Sequence, residues 1–361
     1  MAYKVLIVDD SSFFQMRLKD IVNEHPDLQV VGVASNGQEA IDLEDSLRPD
    51  VISMDYEMPL MDGITAIKTL MQRRPIPIIM FSSMTYEGAR ITLDALDAGA
   101  VDFMPKNFAE VSRDSVNMKK KLHEKLLTFA RKAKPMAGSS KPLLRPASSQ
   151  PIQSKLQRNS NLTSPLRRKK SSLKGRVKIL LIGASTGGPV AVTDIITKLP
   201  VGFPLPIIVI QHMPENFTRA FSERMNRQSA LSVKEAETGD VVKPGHVYVA
   251  PGGKQLMFEK NGKCLKIIQG DDRVNYKPCI DITFASAAGI YGDSILGIIL
   301  TGMGADGCEG SRLLKQKGSS IWAQDKNSCV VYGMPAAVKN AGLVDAEYSA
   351  GEFSQALASE F

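Results

Sequence analysis

No run in this 361-residue sequence comes near the roughly 18 consecutive apolar residues that a bilayer-spanning helix needs, so nothing in it is expected to cross a membrane. Cysteine is scarce: Cys264, Cys279, Cys308 and Cys329 are scattered, with no C-x-x-C pair among them. That excludes a zinc ribbon and a disulfide framework, and leaves free thiols of the cytosolic kind. The opening MAYKVLIVDDSS has neither the long apolar core nor the small-residue cleavage site of a signal peptide, and it reads as a first β-strand. The expected location is cytoplasmic.

One segment has no acid at all. Residues 131–176 hold 13 Lys and Arg and no Asp or Glu, whereas residues 1–130 hold 14 basic against 20 acidic residues and residues 177–361 hold 18 of each. The net charge of +7 is therefore the property of one stretch, and neither flank is basic enough to argue for nucleic-acid binding. From Ala130 to Arg176 the chain is rich in Ser, Pro, Lys, Arg and Gln and poor in large apolar residues. Such a composition cannot bury enough surface to offset its ordering entropy. Residues 126–176 are thus expected to be a flexible linker between domains at 1–125 and 177–361. Its charge fits two readings. It keeps a solvated tether extended, or the RRKK run at Arg167–Lys170 makes peripheral contact with anionic lipid or acidic protein surfaces.

On both flanks, short β-branched apolar runs alternate with amphipathic stretches. Lys4–Val8, Gln29–Ala34, Val51–Met54, Ile76–Phe81 and Val101–Met104 read as five strands with helical patterns between them. The second flank offers Val177–Gly183, Leu205–Ile210, Leu231–Glu235, Val247–Ala250, Gln255–Glu259, Leu265–Ile268, Ile295–Thr301 and Ser319–Gln324. The alternation predicts an α/β protein with two doubly wound parallel sheets. Within the second, VYVAPGGKQLMFEKNGKCLKII has glycine-containing turns between three runs and predicts an antiparallel insertion.

In the first domain Asp9–Asp10, Asp55, Ser82 and Lys106 all fall at carboxyl ends of predicted strands, where open α/β sheets gather their sites. Three carboxylates in one cleft repel one another unless a divalent cation sits among them, and all-oxygen ligands suit magnesium. Asp9, Asp10 and Asp55 are the metal candidates, Asp55 the nucleophile that forms an aspartyl phosphate, and Ser82 and Lys106 the partners of the phosphoryl oxygens. VLIVDDS, ISMDYEMPLMDG, PIIMFSSMT and AGAVDFMPK resemble the response-regulator receiver family over the whole segment. The resemblance places Phe103 at the family's aromatic switch position. The family usually follows its lysine with proline in a cis bond; here the order is Pro105–Lys106–Asn107, and a cis bond before a non-proline residue costs about 2.5–4 kcal/mol.

The second domain opens with VKILLIG and then Gly183-Ala-Ser185-Thr-Gly187-Gly188, a G-x-S-x-G pattern at a strand-to-helix turn. Such a turn exposes a serine beside a helix N-terminus, or cradles a phosphate. A serine nucleophile needs a base. Of four histidines, His25 and His123 lie in the first domain and His246 sits in a turn-like PGHVY, so His212, at the end of IIVIQ, is the candidate. A third strand, ILGIILT, runs into Gly302-Met-Gly304-Ala-Asp306-Gly307. This loop also satisfies GxGxxG, but it lacks the distant acid of a dinucleotide site, and an aspartate inside it would repel a pyrophosphate. Asp306 is therefore assigned to orient His212. The order Ser, His, Asp differs from that of the α/β-hydrolases, and such triads are recognised by role rather than order.

IGASTGG, IVIQHMPENFT, KPGHVYVAPGG, ILTGMGADG and NSCVVYGMP together resemble the catalytic domain of the chemotaxis protein-glutamate methylesterases, the CheB family, over nearly all of residues 177–345. The resemblance implies hydrolysis of receptor glutamate methyl esters, with deamidation of receptor glutamines by the same acyl chemistry, under phosphorylation control by a chemotaxis histidine kinase. It implies methyl-accepting receptors as partners, Mg2+ for receiver phosphorylation, and no cofactor for the esterase reaction. Backbone amides of the two glycine loops are the expected oxyanion donors, with Met303 the first candidate and Thr186 a supporting one. A non-catalytic receptor-binding adaptor is the rival reading. A DNA-binding regulator would need a motif that the sequence does not contain.

Overall fold

The computed structural model describes residues 2–106, 115–136, 173–271 and 273–361. The first domain runs β1 (Tyr3–Val8), α1 (Ser12–Asn23), β2 (Leu28–Ala34), α2 (Gly37–Leu47), β3 (Val51–Asp55), α3 (Gly63–Arg73), β4 (Ile78–Ser82), α4 (Tyr86–Asp97), β5 (Asp102–Pro105) and α5 (Val116–Met136). Its parallel sheet has the order β2-β1-β3-β4-β5, so the strand order reverses between β1 and β3, and the cleft opens there. Side chains close the exposed helix starts: Ser11, Asn36, Asp62 and Thr85 each accept a backbone N–H of the first turn.

The second domain continues with β6 (Ile179–Ala184), α6 (Gly188–Thr197), β7 (Ile207–Gln211), α7 (Phe217–Gln228), β8 (Ser232–Glu235), β9 (His246–Val249), β10 (Lys254–Phe258), β11 (Leu265–Gln269), α8 (Ile280–Tyr291), β12 (Ile295–Ile299), α9 (Cys308–Gln316), β13 (Ser320–Gln324), α10 (Met334–Asn340), β14 (Ala346–Tyr348) and α11 (Phe353–Glu360). Seven strands form a parallel sheet in the order β14-β13-β12-β6-β7-β9-β8, and β10 and β11 pair antiparallel as a separate ribbon. The expected insertion thus has two strands rather than three. The Val247–Ala250 run belongs to the parallel sheet as β9, held between β7 and β8, because its residues are buried on both faces. The short strand β14 was not expected from sequence.

Helix α5 passes the expected boundary at residue 125 and ends at Met136. Most of the expected linker, including Arg167–Lys170, lies outside the described residues, as does Asn107 of the Pro105–Lys106–Asn107 loop. Among the described residues no helix is long and apolar enough to cross a membrane.

The two domains pack against each other. The rings of Phe103 on β5 and Phe217 on α7 stack with centroids 4.9 Å apart and planes 4° apart. Both belong to one apolar cluster that runs from the first domain into the second. Around this contact Arg224 pairs with Asp94 and Asp97, Tyr86 donates to Glu223, and Asn216 Nδ2 donates to the carbonyl of Met84 at 3.2 Å. On the other flank Lys132 of α5 donates to the carbonyls of Cys329 and Val330 at 2.9 and 2.6 Å.

Candidate functional site

In the sheet order β12-β6-β7 three adjacent strands end at one edge. Ala184 lies opposite Gln211 in register, and the next residues, Ser185 and His212, emerge side by side. Ser185 N donates to Thr301 O at 3.0 Å and His212 N to Ala184 O at 3.0 Å, so the ladder continues into the site. Gly187 takes φ +75° to start α6, a conformation that an L side chain adopts only with strain. Gly302 packs closely on Ser185: a Cβ there would sit 2.8 Å from Ser185 Cβ and 3.2 Å from Ser185 N.

His212 Nε2 lies 2.7 Å from Asp306 Oδ2. A carboxylate only accepts, so Nε2 carries the ring proton and Nδ1 presents its lone pair. Nδ1 is buried and has no hydrogen-bond partner among the described residues. Asp306 is fixed on all sides. Oδ2 also accepts from Ile280 N at 2.8 Å, and Oδ1 accepts from Asp281 N at 3.0 Å, Gly307 N at 3.0 Å and Cys279 Sγ at 3.2 Å. Burial pushes this carboxyl up, but His212 and the backbone N–H groups outweigh it and hold it down at about 2. Ile280 and Asp281 form the first turn of α8, so a helix N-terminus also favours the charge. Burial, and then the Asp306 charge, push the Cys279 thiol up to about 12, so it stays a neutral donor.

The supporting candidates are placed differently from one another. Thr186 directs its hydroxyl to Asp102 of the first domain at 2.9 Å, and Asp102 is paired with Lys125 of α5. Met303 is half-buried in the loop after β12, and its side chain leans on a cluster that joins Val331 to α1 and α5. His246 is a turn residue at the start of β9, with Nδ1 3.0 Å from Pro244 O. Tyr276, which sequence reasoning missed, lies flat on His212, with centroids 4.2 Å apart and planes 6° apart.

At the first domain's cleft, carboxylate oxygens of Asp9, Asp10 and Asp55 lie within 4.8 Å of one another. Lys106 Nζ bridges Asp9 Oδ2 at 2.8 Å and Asp55 Oδ2 at 2.6 Å. Burial raises the Asp55 carboxyl to about 6 against the pull of Lys106, and Asp9 is raised for the same reason. Burial lowers Lys106, but Asp55 and Asp9 more than reverse it and leave it raised. Clustered hard oxygen donors that ionise reluctantly without a second cation suit a divalent metal. Ser82 Oγ donates to the carbonyl of Gly88, 3.0 Å away in the first turn of α4, and Phe103 is the residue stacked on Phe217.

Comparison with known proteins agrees with this fold. Residues 180–357 match the family model described as CheB methylesterase, and residues 5–113 match the response regulator receiver domain. A protein-glutamate methylesterase/protein-glutamine glutaminase of Saccharophagus degradans is 65% identical over 349 residues, 96% of each chain. The chain belongs to the CheB methylesterase family. A Pseudomonas putida relative of the same description is 52% identical over 366 residues, 99% of each chain. The crystal structure of the Thermotoga maritima CheB methylesterase catalytic domain superposes with a TM-score of 0.50 at 43% identity, over 51% of this chain and 99% of that one. As a CheB family member this protein is a carboxylic ester hydrolase with a receiver domain.

Proposed function

We propose that Ser185, His212 and Asp306 hydrolyse glutamate methyl esters on methyl-accepting chemotaxis receptors, and that phosphorylation of Asp55 frees them to do so. The observation that carries this reading is His212, with Nε2 held by Asp306, a buried and unpartnered Nδ1, and a place at the strand end adjacent to the one that carries Ser185. Ser185 Oγ attacks the ester carbonyl and its proton passes to Nδ1. The tetrahedral intermediate collapses, the C–O bond to methoxide breaks, and His212 protonates the methoxide to methanol. Water, deprotonated by the same nitrogen, then splits the acyl-enzyme and leaves a free glutamate. With a glutamine substrate ammonia leaves in place of methanol. Backbone N–H groups of the loops at Ser185 and Met303 are the oxyanion donors, each contributing about 2.7–4 kcal/mol.

Three pieces make up the chain on this reading: a receiver through helix α5, the basic linker, and the methylesterase domain. In the receiver, Asp9, Asp10 and Asp55 hold Mg2+, which supplies charge neutralisation for the incoming phosphoryl group. Lys106 then pairs with a phosphoryl oxygen, and Ser82 leaves the Gly88 carbonyl to donate to another. Gly88 lies on α4, the helix that carries Tyr86, Asp94 and Asp97 to the interface, so phosphorylation loosens the docking at its root. The kinase of a chemotaxis array is the phosphoryl source.

Asp55→Asn is expected to take up no phosphoryl group from a small donor with magnesium, and to hold methanol release at the basal rate when donor is added. Stimulation of the variant equal to wild type would reject Asp55 as the acceptor. Arg224→Ala tests the docking itself. Exposed ion pairs contribute about 0.2–1 kcal/mol each, and Arg224 makes two. Unphosphorylated basal activity should rise about two- to thirtyfold. An unchanged basal rate would show that this contact does not restrain the enzyme.

A further inference from the structure

Tyr276 lies in the loop between β11 and α8, and nothing in the serine mechanism calls for it. Its ring covers one face of the His212 imidazole, centroids 4.2 Å apart and planes 6° apart. Its hydroxyl overhangs the glycine loop after β12, where a Cβ on Gly304 would meet it at 3.1 Å. The ring thus stands between the base and one of the two loops that surround Ser185.

This placement is built in. Gln255 on β10, 1% exposed, spans the loop: its Nε2 donates to Tyr276 O at 2.7 Å and its Oε1 accepts from Cys279 N at 2.8 Å. Lys277 O accepts from Gly253 N at 3.0 Å. Cys279, three residues after Tyr276, donates to Asp306. One buried glutamine therefore fixes both what lies over the face of His212 and what lies behind its carboxylate. Burial, and then the Asp306 charge, push the Tyr276 phenol up, so the ring is neutral at working pH.

When Ser185 gives up its proton, His212 becomes an imidazolium. The face of an aromatic ring attracts a cation, more strongly where water is excluded. The same face attracts neutral imidazole less, so the interaction strengthens toward the transition state, and such interactions raise kcat rather than lower KM.

We propose that Tyr276 is a positioning residue for the hydrolysis: its ring holds the imidazole flat and its π face favours the protonated form. The proposal rests on His212 being the base. The test uses the full-length protein, activated with a small phosphodonor and magnesium, on membranes bearing methylated receptor. Tyr276→Leu keeps apolar cover but has no π face, and its kcat should fall about five- to thirtyfold with KM within about twofold of wild type. Tyr276→Phe keeps the ring and should stay within about threefold in kcat. The rate at which a fluorophosphonate labels Ser185 should fall in Leu and hold in Phe by the same factors, since that attack also sends its proton to His212. A Leu variant with wild-type kcat, or a Phe variant as slow as Leu, would overturn the role of the ring. Failure of the serine mechanism gives a different result, activity retained in Ser185→Ala.

Discussion

Ser185→Ala is expected to lower methanol release by on the order of 10⁴- to 10⁶-fold, in a protein that folds, melts and takes up a phosphoryl group as wild type does. The size follows from how a serine triad works: once the nucleophile is gone the base has nothing to deprotonate, and what survives comes from substrate binding and the oxyanion donors. The intact fold follows from the local bonds. Ser185 N reaches Thr301 O, Ser185 O accepts from Gly188 N and from Gln211 Nε2 at 2.9 Å, and all three use main-chain atoms of residue 185 that alanine keeps. Gly302 packs on Ser185 Cβ, which alanine also keeps. Phosphorylation is unaffected because the acceptor cleft lies in the other domain. Measured methanol release above about a tenth of wild type would remove Ser185 from the mechanism.

The sequence made the three strand ends legible because each signal is local. An apolar β-branched run says where a strand and its sheet edge lie, and Ser185, His212 and Asp306 each follow such a run, Ser185 and Asp306 within glycine-rich loops. The receiver cleft was legible for the same reason. What was not legible depends on partners far along the chain. The VYV of β9 precedes a Pro-Gly-Gly turn, so it looked like the first arm of a hairpin; only its pairing with β7 and β8 reveals a central strand. At three residues, β14 is too short to show a period. Thr186 looked like support for the nucleophile, yet its hydroxyl reaches Asp102, 84 positions away, and the local sequence does not carry that contact. The parallel stack of Tyr276 on His212 joins a loop to a strand end 64 positions earlier and has no periodic or motif signature. Nor could sequence decide which nitrogen of His212 faces Asp306.

That last choice makes Asp306→Asn the most informative single substitution behind the nucleophile, with an expected loss on the order of 10⁴-fold in kcat. Asp306 accepts five hydrogen bonds: two on Oδ2, from His212 Nε2 and Ile280 N, and three on Oδ1, from Asp281 N, Gly307 N and Cys279 Sγ. An asparagine amide must turn its NH2 toward one of these sets. Facing His212, the NH2 donates to Nε2 and forces the ring proton onto Nδ1, which abolishes the lone pair that Ser185 needs. Facing the other set, it meets the N–H groups of Asp281 and Gly307 and leaves both unpaired, at about 1–3 kcal/mol each. It also removes the negative charge that stabilises the imidazolium. Catalysis therefore falls in either orientation. Stability falls as well, because the first orientation also strands Ile280 N. The pH dependence of unfolding separates charge from shape. In wild type the carboxyl is held at about 2 against an ordinary 3.8, so its contribution is complete above about pH 4 and is lost as pH falls toward 2. The asparagine variant lacks that contribution, and its deficit in unfolding free energy should shrink over the same window. A variant that keeps a tenth of wild-type kcat, or a deficit that stays constant down to pH 2, would mean that Asp306 does not hold His212 as a charged acceptor.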